Sequence, residues 1–234
     1  MHRSLFKKGV LHRDINPFNL MRTSEYTGRL IDLDLSSLCD EKARHDPEDV
    51  PLTFSTPFLA LDLLTATTPQ RHLYRHDLES LYWSFVWIVL EHLRSKNAKH
   101  FLEAKNITSL LETWQKGSRQ EIADSKVLLF QPYDRDEIFD SLSRDFPSYS
   151  PVFNCLIKLT ELVTEAYKHL NSVRRRSRSS MNAGDSPLRT LGETGSSSDI
   201  EAASTAVQSG PVFDDSYITG GGYITYEAFS SVFT

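Results

Sequence analysis

Short apolar runs separated by turn residues open the chain: GVLH, then FNLMRT, a turn near Tyr26 to Gly28, then RLIDLDL. Runs of this length between turn formers predict loop, strand, turn, strand over residues 1 to about 40. From about 40 to 57 Asp, Glu, Pro and Thr dominate, no apolar period survives, and a long loop is expected. FLALDLLTA suggests a short helix, Thr65 to Pro69 a break, and His76 to Leu93 a strongly apolar helix. Residues 98 to 129 carry two amphipathic helical patterns, and residues 134 to 170 two more, ending in VFNCLIKLTELVTEAYKHL. The fold class that follows is mainly α (α+β), helical with a small β-hairpin region at its N-terminal edge.

After Leu170 the text becomes poor in apolar residues and rich in Ser, Arg, Gly and Thr, so burial cannot offset chain entropy there. Three segments are therefore expected: a helical body over 1–170, a disordered Ser/Arg-rich linker over 171–211, and a C-terminal segment over 212–234. The last regains aromatic character, and Gly220, Gly221 and Gly222 favour a hairpin in it. No internal repeat is visible.

Composition narrows the function classes. With 234 residues and 39% hydrophobic content the chain can bury one sizeable core. A formal net charge of -5 argues against general binding to nucleic acid or anionic membranes. Cys39 and Cys155 are far apart and make no CxxC pair, which points to a reducing, intracellular compartment, cytoplasmic or nuclear. The most apolar stretch, Leu81 to Leu90, is about half of a membrane span, and the N-terminus lacks an apolar run of signal-peptide length. Neither a membrane nor a nucleic-acid partner is expected.

The strongest chemical signal is His12-Arg13-Asp14-Ile15-Asn16-Pro17-Phe18-Asn19. It sets a carboxylate five residues ahead of a carboxamide on a loop that leads into a strand. Phosphoryl transfer from ATP uses that spacing: the aspartate positions a hydroxyl and accepts its proton, and the Asn holds magnesium against the phosphates. Other constellations carry less. His72 and His76 are four apart but have no third ligand nearby, and read as packing histidines. Arg174 to Arg178, RRRSR, reads equally as a solvated basic linker or as a targeting or modification patch. The three glycines lack the spacing of a phosphate-cradling loop.

From the His12 to Asn19 loop onward the sequence resembles protein kinases, and four elements arrive in order. Leu30-Ile31-Asp32-Leu33-Asp34 stands where kinases carry D-F-G, with Asp32 as the implied metal ligand, Leu33 in place of Phe and Asp34 in place of Gly. Ala60-Leu61-Asp62 stands for A-P-E, and Asp62 is expected to pair with a later arginine. Tyr74-Arg75-His76-Asp77-Leu78-Glu79-Ser80 is similar to the YRHDLES of the fungal-type protein kinase family, where the Asp anchors the catalytic-loop backbone. Together with IDLDL, this makes the likeness to that family sharper than to kinases at large.

The resemblance covers about residues 9 to 170 and implies the C-terminal lobe of a kinase, entered at its catalytic loop, with the N-terminal lobe absent. It implies ATP and magnesium as cofactors, a protein substrate phosphorylated on Ser or Thr, Asp14 as base, and Asn19 and Asp32 as magnesium ligands. It further implies that Ser55 contacts Asp14, that His12 packs, and that Arg13 docks a phosphate of the activation segment, for which Ser36, Ser37, Thr53 and Thr56 are candidate acceptors. Asn16 replaces the lysine that many Ser/Thr kinases place two residues after the catalytic aspartate, removing a charge near the transferred phosphate. Only eleven residues precede His12, and the lysine that grips the phosphates has no counterpart among them. Two further readings stay open: a catalytically inactive interaction module, and a small-molecule kinase of the aminoglycoside or choline type. The surface that would meet a second lobe is expected to be exposed and to favour aggregation.

Overall fold

The computed structural model describes residues 2–25, 27–38, 55–68, 70–96, 105–183 and 219–233. The long loop expected from about 40 to 57 and the linker beyond residue 183 fall mostly outside them. Helix α1 (His2–Lys7) leads to strand β1 (Val10–Leu11), a 3-10 turn at Pro17–Asn19, and strands β2 (Leu20–Arg22) and β3 (Gly28–Leu30). β2 and β3 form the predicted antiparallel hairpin, with Met21 opposite Arg29, closed by the Thr23 amide donating to the Thr27 carbonyl at 2.9 Å. A strand the pattern does not show, β4 (Ser37–Leu38), pairs antiparallel with β1 and places Val10 opposite Leu38.

Helices make up the rest: α2 (Leu61–Leu64), α3 (Tyr74–Lys96), α4 (Lys105–Lys116), α5 (Arg119–Phe130), α6 (Pro132–Asp145) and α7 (Ser150–Ala183). α3 is apolar on most of its circumference and is accordingly central: Leu78, Tyr82, Trp83, Val86, Leu90 and Leu93 are all buried. Trp83 packs against Tyr82, Trp114 and Phe130, with ring centroids 4.5, 5.5 and 5.7 Å away. α5 begins with a capping box, Ser118 accepting from the Glu121 amide and Glu121 accepting from the Ser118 amide. Proline at the first position opens α6, where its missing N–H costs nothing. α7 buries Phe153, Leu156, Thr160, Val163, Tyr167 and Leu170 at alternating spacings of three and four. No described helix is long and apolar enough to cross a membrane.

Two expectations are corrected. α7 runs through the predicted boundary at Leu170 to Ala183, so residues 171–183 are helical. Extending an existing helix costs far less than starting one, arginine propagates it well, and Arg174 finds an inward partner in Asp62 at 3.5 Å. Nor do the described residues of the C-terminal segment form a hairpin. Gly220, Gly221 and Gly222 all take left-handed φ, making a turn that ends in helix α8 (Tyr226–Ser230). Thr225 caps α8 by accepting from the Ala228 amide. Ile224 before the cap and Phe229 in the helix are both buried, positions that form a hydrophobic staple. The segment is held to the body where the Tyr226 amide donates to the Tyr74 hydroxyl at 3.1 Å.

The glycine turn yields a paired prediction. At Gly222 (φ +86°) an added methyl group meets nothing within 4 Å, so Gly222→Ala should cost only the left-handed backbone penalty of about 1–2 kcal/mol. At Gly220 (φ +61°) a Cβ would stand 2.8 Å from the Ala166 Cβ, so Gly220→Ala should cost clearly more. Urea unfolding of the two variants measures the difference, and equal losses would show that the turn does not seat on α7.

Candidate functional site

The loop at residues 12–19 is held by a buried carboxylate from the first turns of α3. Asp77 accepts the His12 amide at 2.8 Å and the Arg13 amide at 3.0 Å. Its Oδ1 also bonds the His72 ring Nε2 at 2.8 Å. The clamp holds Arg13 at φ 68°, a left-handed conformation that costs a non-glycine residue energy and persists only where surroundings fix it. Arg13 itself is half-buried. Of the phosphate acceptors predicted for it, Thr53 lies outside the described residues.

His12 is fully buried and its tautomer is set by its partners. The Asp14 amide donates to Nδ1 at 3.3 Å, so Nε2 carries the proton and donates to the Ile31 carbonyl at 3.1 Å. Ile31 is also bonded on its other side, its amide donating to the Asn19 carbonyl at 3.0 Å. Asp32 follows directly, exposed and at φ 63°. Arg13 and Asp32 are thus the two non-glycine residues with left-handed φ among the described residues, and both belong to the predicted site.

Asn19 Nδ2 donates to the Asp14 carboxylate Oδ2 and to the Asp14 carbonyl, both at 3.0 Å. The Asn16 side chain ties the turn together. Its Oδ1 accepts from the Phe18 and Asn19 amides, and its Nδ2 donates to the Asp14 carbonyl at 3.3 Å and to Ser55 Oγ at 3.1 Å. Ser55, expected beside Asp14, is joined to the loop through Asn16. The structure therefore brings together His12, Arg13, Asp14, Asn19, Ser55 and Asp77, and carries Asp32 next to them on the Ile31 backbone.

The donor set suits magnesium. Asn19 commits its amide hydrogens to Asp14, so Oδ1 is the side-chain atom it has left for a cation, and Asp32 adds an exposed carboxylate. Magnesium prefers such hard oxygen ligands, needs few from the protein and completes its shell with water and phosphate.

Asp62 sits elsewhere, in a buried cluster joining α2, α3 and α7. It pairs with Arg75, lies 3.1 Å from His76 Nε2 and 3.5 Å from Arg174, and its amide donates to the Tyr167 hydroxyl oxygen at 3.2 Å. Tyr167 donates to Glu79 Oε2 at 2.7 Å, while Glu79 Oε1 accepts the Leu61 amide at 2.8 Å and the Trp83 indole N–H at 3.0 Å. Burial favours the neutral form of Asp62, but His76 and Arg75 outweigh it and hold the carboxyl well below the usual range. Burial pulls His76 down to about 4 against the pull of Asp62, consistent with its Nδ1 accepting from the Leu73 amide at 3.0 Å. Burial and then Asp62 push Glu79 up, and burial takes Lys126 well down despite Glu79. Lys126 donates to the Leu59 carbonyl and lies 4.4 Å above the Trp83 ring.

Sequence reasoning missed the bonding roles of four residues of this machinery: Asn16, named only for the lysine it replaces, His72, read as a packing residue, and Glu79 and Tyr167. Asn16 carried a usable signal, since an Asn before Pro is a strong cap for a helical turn. Glu79 carried one too, as an acid inside an otherwise apolar helix.

Residues 1–89 match the family model of fungal protein kinases, a span that ends inside α3 and contains every predicted site residue. No curated protein and no solved structure matches the chain.

The depressed His76 gives a stability prediction. Its folded-state value near 4 lies below the ordinary 6.5, so the unfolded chain binds more protons between the two and stability falls as pH drops through that window. One proton sets a limit of about 1.4 kcal/mol per pH unit. Denaturant melts from pH 7 to 4 should show the slope, and His76→Gln should flatten it. Asp77→Asn should cost about 2–3 kcal/mol and speed hydrogen exchange of the His12 and Arg13 amides, because a charged acceptor of two backbone donors is lost.

Proposed function

We propose that the chain carries the catalytic half of an ATP-dependent protein kinase of the fungal type. The observation that supports this most is the bonded pair Asp14–Asn19 held by Asp77, on the stretch that matches the family model. In this reading Asp14, with Oδ2 fixed by Asn19, turns its other carboxylate oxygen to a Ser or Thr hydroxyl and takes its proton as the phosphoryl group departs. Asn19 Oδ1 and Asp32 are the residues that would hold a magnesium ion, which would supply neutralisation of the nucleotide's phosphate charge. Asn16 replaces lysine and keeps the loop rigid without adding a cation beside the transferred group.

Phe18, Met21, Ile31, Leu33, Leu35 and Leu38, all within residues 18–38, are exposed, Phe18 at 77% and Leu38 at 70%. Exposed apolar side chains concentrated in one stretch of chain call for a cover. In this proposal the cover is a lobe bearing the lysine and glutamate that kinases use to grip ATP.

Transfer of labelled γ-phosphate to a protein substrate is the test. With magnesium, Asp14→Asn should lower the rate at least about 100-fold. Asn19→Ala should instead raise the magnesium concentration needed. Transfer unchanged in Asp14→Asn would remove this assignment, and transfer to aminoglycoside or choline but not protein would favour the small-molecule reading.

A further inference from the structure

Away from the loop, α4, α5 and α6 enclose a groove of about 530 Å3. That volume lies within the range of ligand pockets. Its apolar lining comes from Leu110, Leu128, Leu129 and Ile138 and its rim from Glu121, Asp124, Asp134 and Glu137, with no lysine or arginine among the described lining residues. The spacing of three and four along each helix explains why these residues share one opening.

Local helix chemistry accounts for part of the rim. Glu121 belongs to the capping box, and Asp134 lies in the first turn of α6, where the helix dipole favours an acid. It accounts for Asp124 only in part, since Gln120 one turn earlier donates to its Oδ1 at 2.8 Å, and not for Glu137, three residues from Asp134 on its own helix, where like charges destabilise. Nor does it account for Leu128, 52% exposed within the groove. An apolar floor under a rim of one sign fits a segment that combines apolar and basic side chains.

We propose that this groove docks a basic, leucine-bearing segment of a partner protein. The floor takes the apolar side chain, and Asp124 and Glu137 take flanking lysine or arginine. The site stands whether or not the chain transfers phosphate.

The test uses the full chain and fluorescence anisotropy of a short labelled peptide that intersperses leucine among lysine and arginine. Three probes are compared: this peptide, the same peptide with serine for leucine, and one with glutamate for the basic residues. The leucine peptide should bind at least about tenfold more tightly than either control. Leu128→Asp and Glu137→Lys should each weaken it by about tenfold, Glu137→Gln by less, and Lys168→Glu on α7 not at all. Equal binding of the serine peptide would reduce the site to general charge attraction and overturn the proposal. Full binding by Leu128→Asp would also overturn it. Self-association of the chain that Leu128→Asp abolishes would assign the groove to a second copy instead.

Discussion

A carboxylate without solvent contact is tolerated only where its hydrogen-bonding capacity is filled. Asp77 fills it with the backbone of the loop that it holds, taking the His12 and Arg13 amides on separate oxygens and sharing Oδ1 with His72. Backbone acceptance of this kind fixes conformation, not only proximity. It keeps Arg13 in a left-handed conformation, and so directs the residues that follow. Asp14 meets Asn19 because the chain leaves Arg13 in that direction, and His12 is turned inward onto the Ile31 carbonyl. The helix that supplies Asp77 is largely buried and runs through the core, so the clamp inherits the rigidity of that core.

One helical turn does several jobs at once. Tyr74 receives the C-terminal segment through its hydroxyl, Arg75 and His76 receive Asp62, and Asp77 receives the loop. Successive residues of a helix point about 100° apart, so four in a row address partners on different sides. Three segments distant in sequence therefore converge on residues 74–77. The buried ions around Asp62 are better understood as fixing that convergence than as a source of net stability, because desolvation cancels much of their attraction. Glu79 and Tyr167 extend the cluster one turn further and tie α2 to α7.

Much of this was legible in the residue pattern. The β2–β3 hairpin, the apolar α3 and the amphipathic helices after it follow from periodicity, since each element buries one face or all of itself. Asp14, Asn19 and Asp77 stood out because fixed spacing on a loop or at a helix start is a local property. Most of the missed contacts join residues far apart in sequence. Asn16 and Ser55 are 39 residues apart, Glu79 and Tyr167 88, and Tyr74 and Tyr226 152. No local period relates such partners. The end of α7 was misplaced because composition measures what burial can offset, whereas a helix already nucleated continues at little cost through Arg174. The glycine triplet was assigned to a hairpin because left-handed φ serves a hairpin and a helix-entry turn equally well, and only the docking of Ile224 on the body selects the second.

The sequence by itself determined the elements and the chemistry of the loop: which residues carry a carboxylate, a carboxamide or an apolar face, and at what intervals. Tertiary structure decided which carboxylate holds the loop and which is buried among cations. Asp62 and Asp77 are both acids near helix starts, and nothing local separates them. They differ because one meets backbone amides and the other meets Arg75 and His76, and those encounters exist only once α3 is buried between the segments it joins.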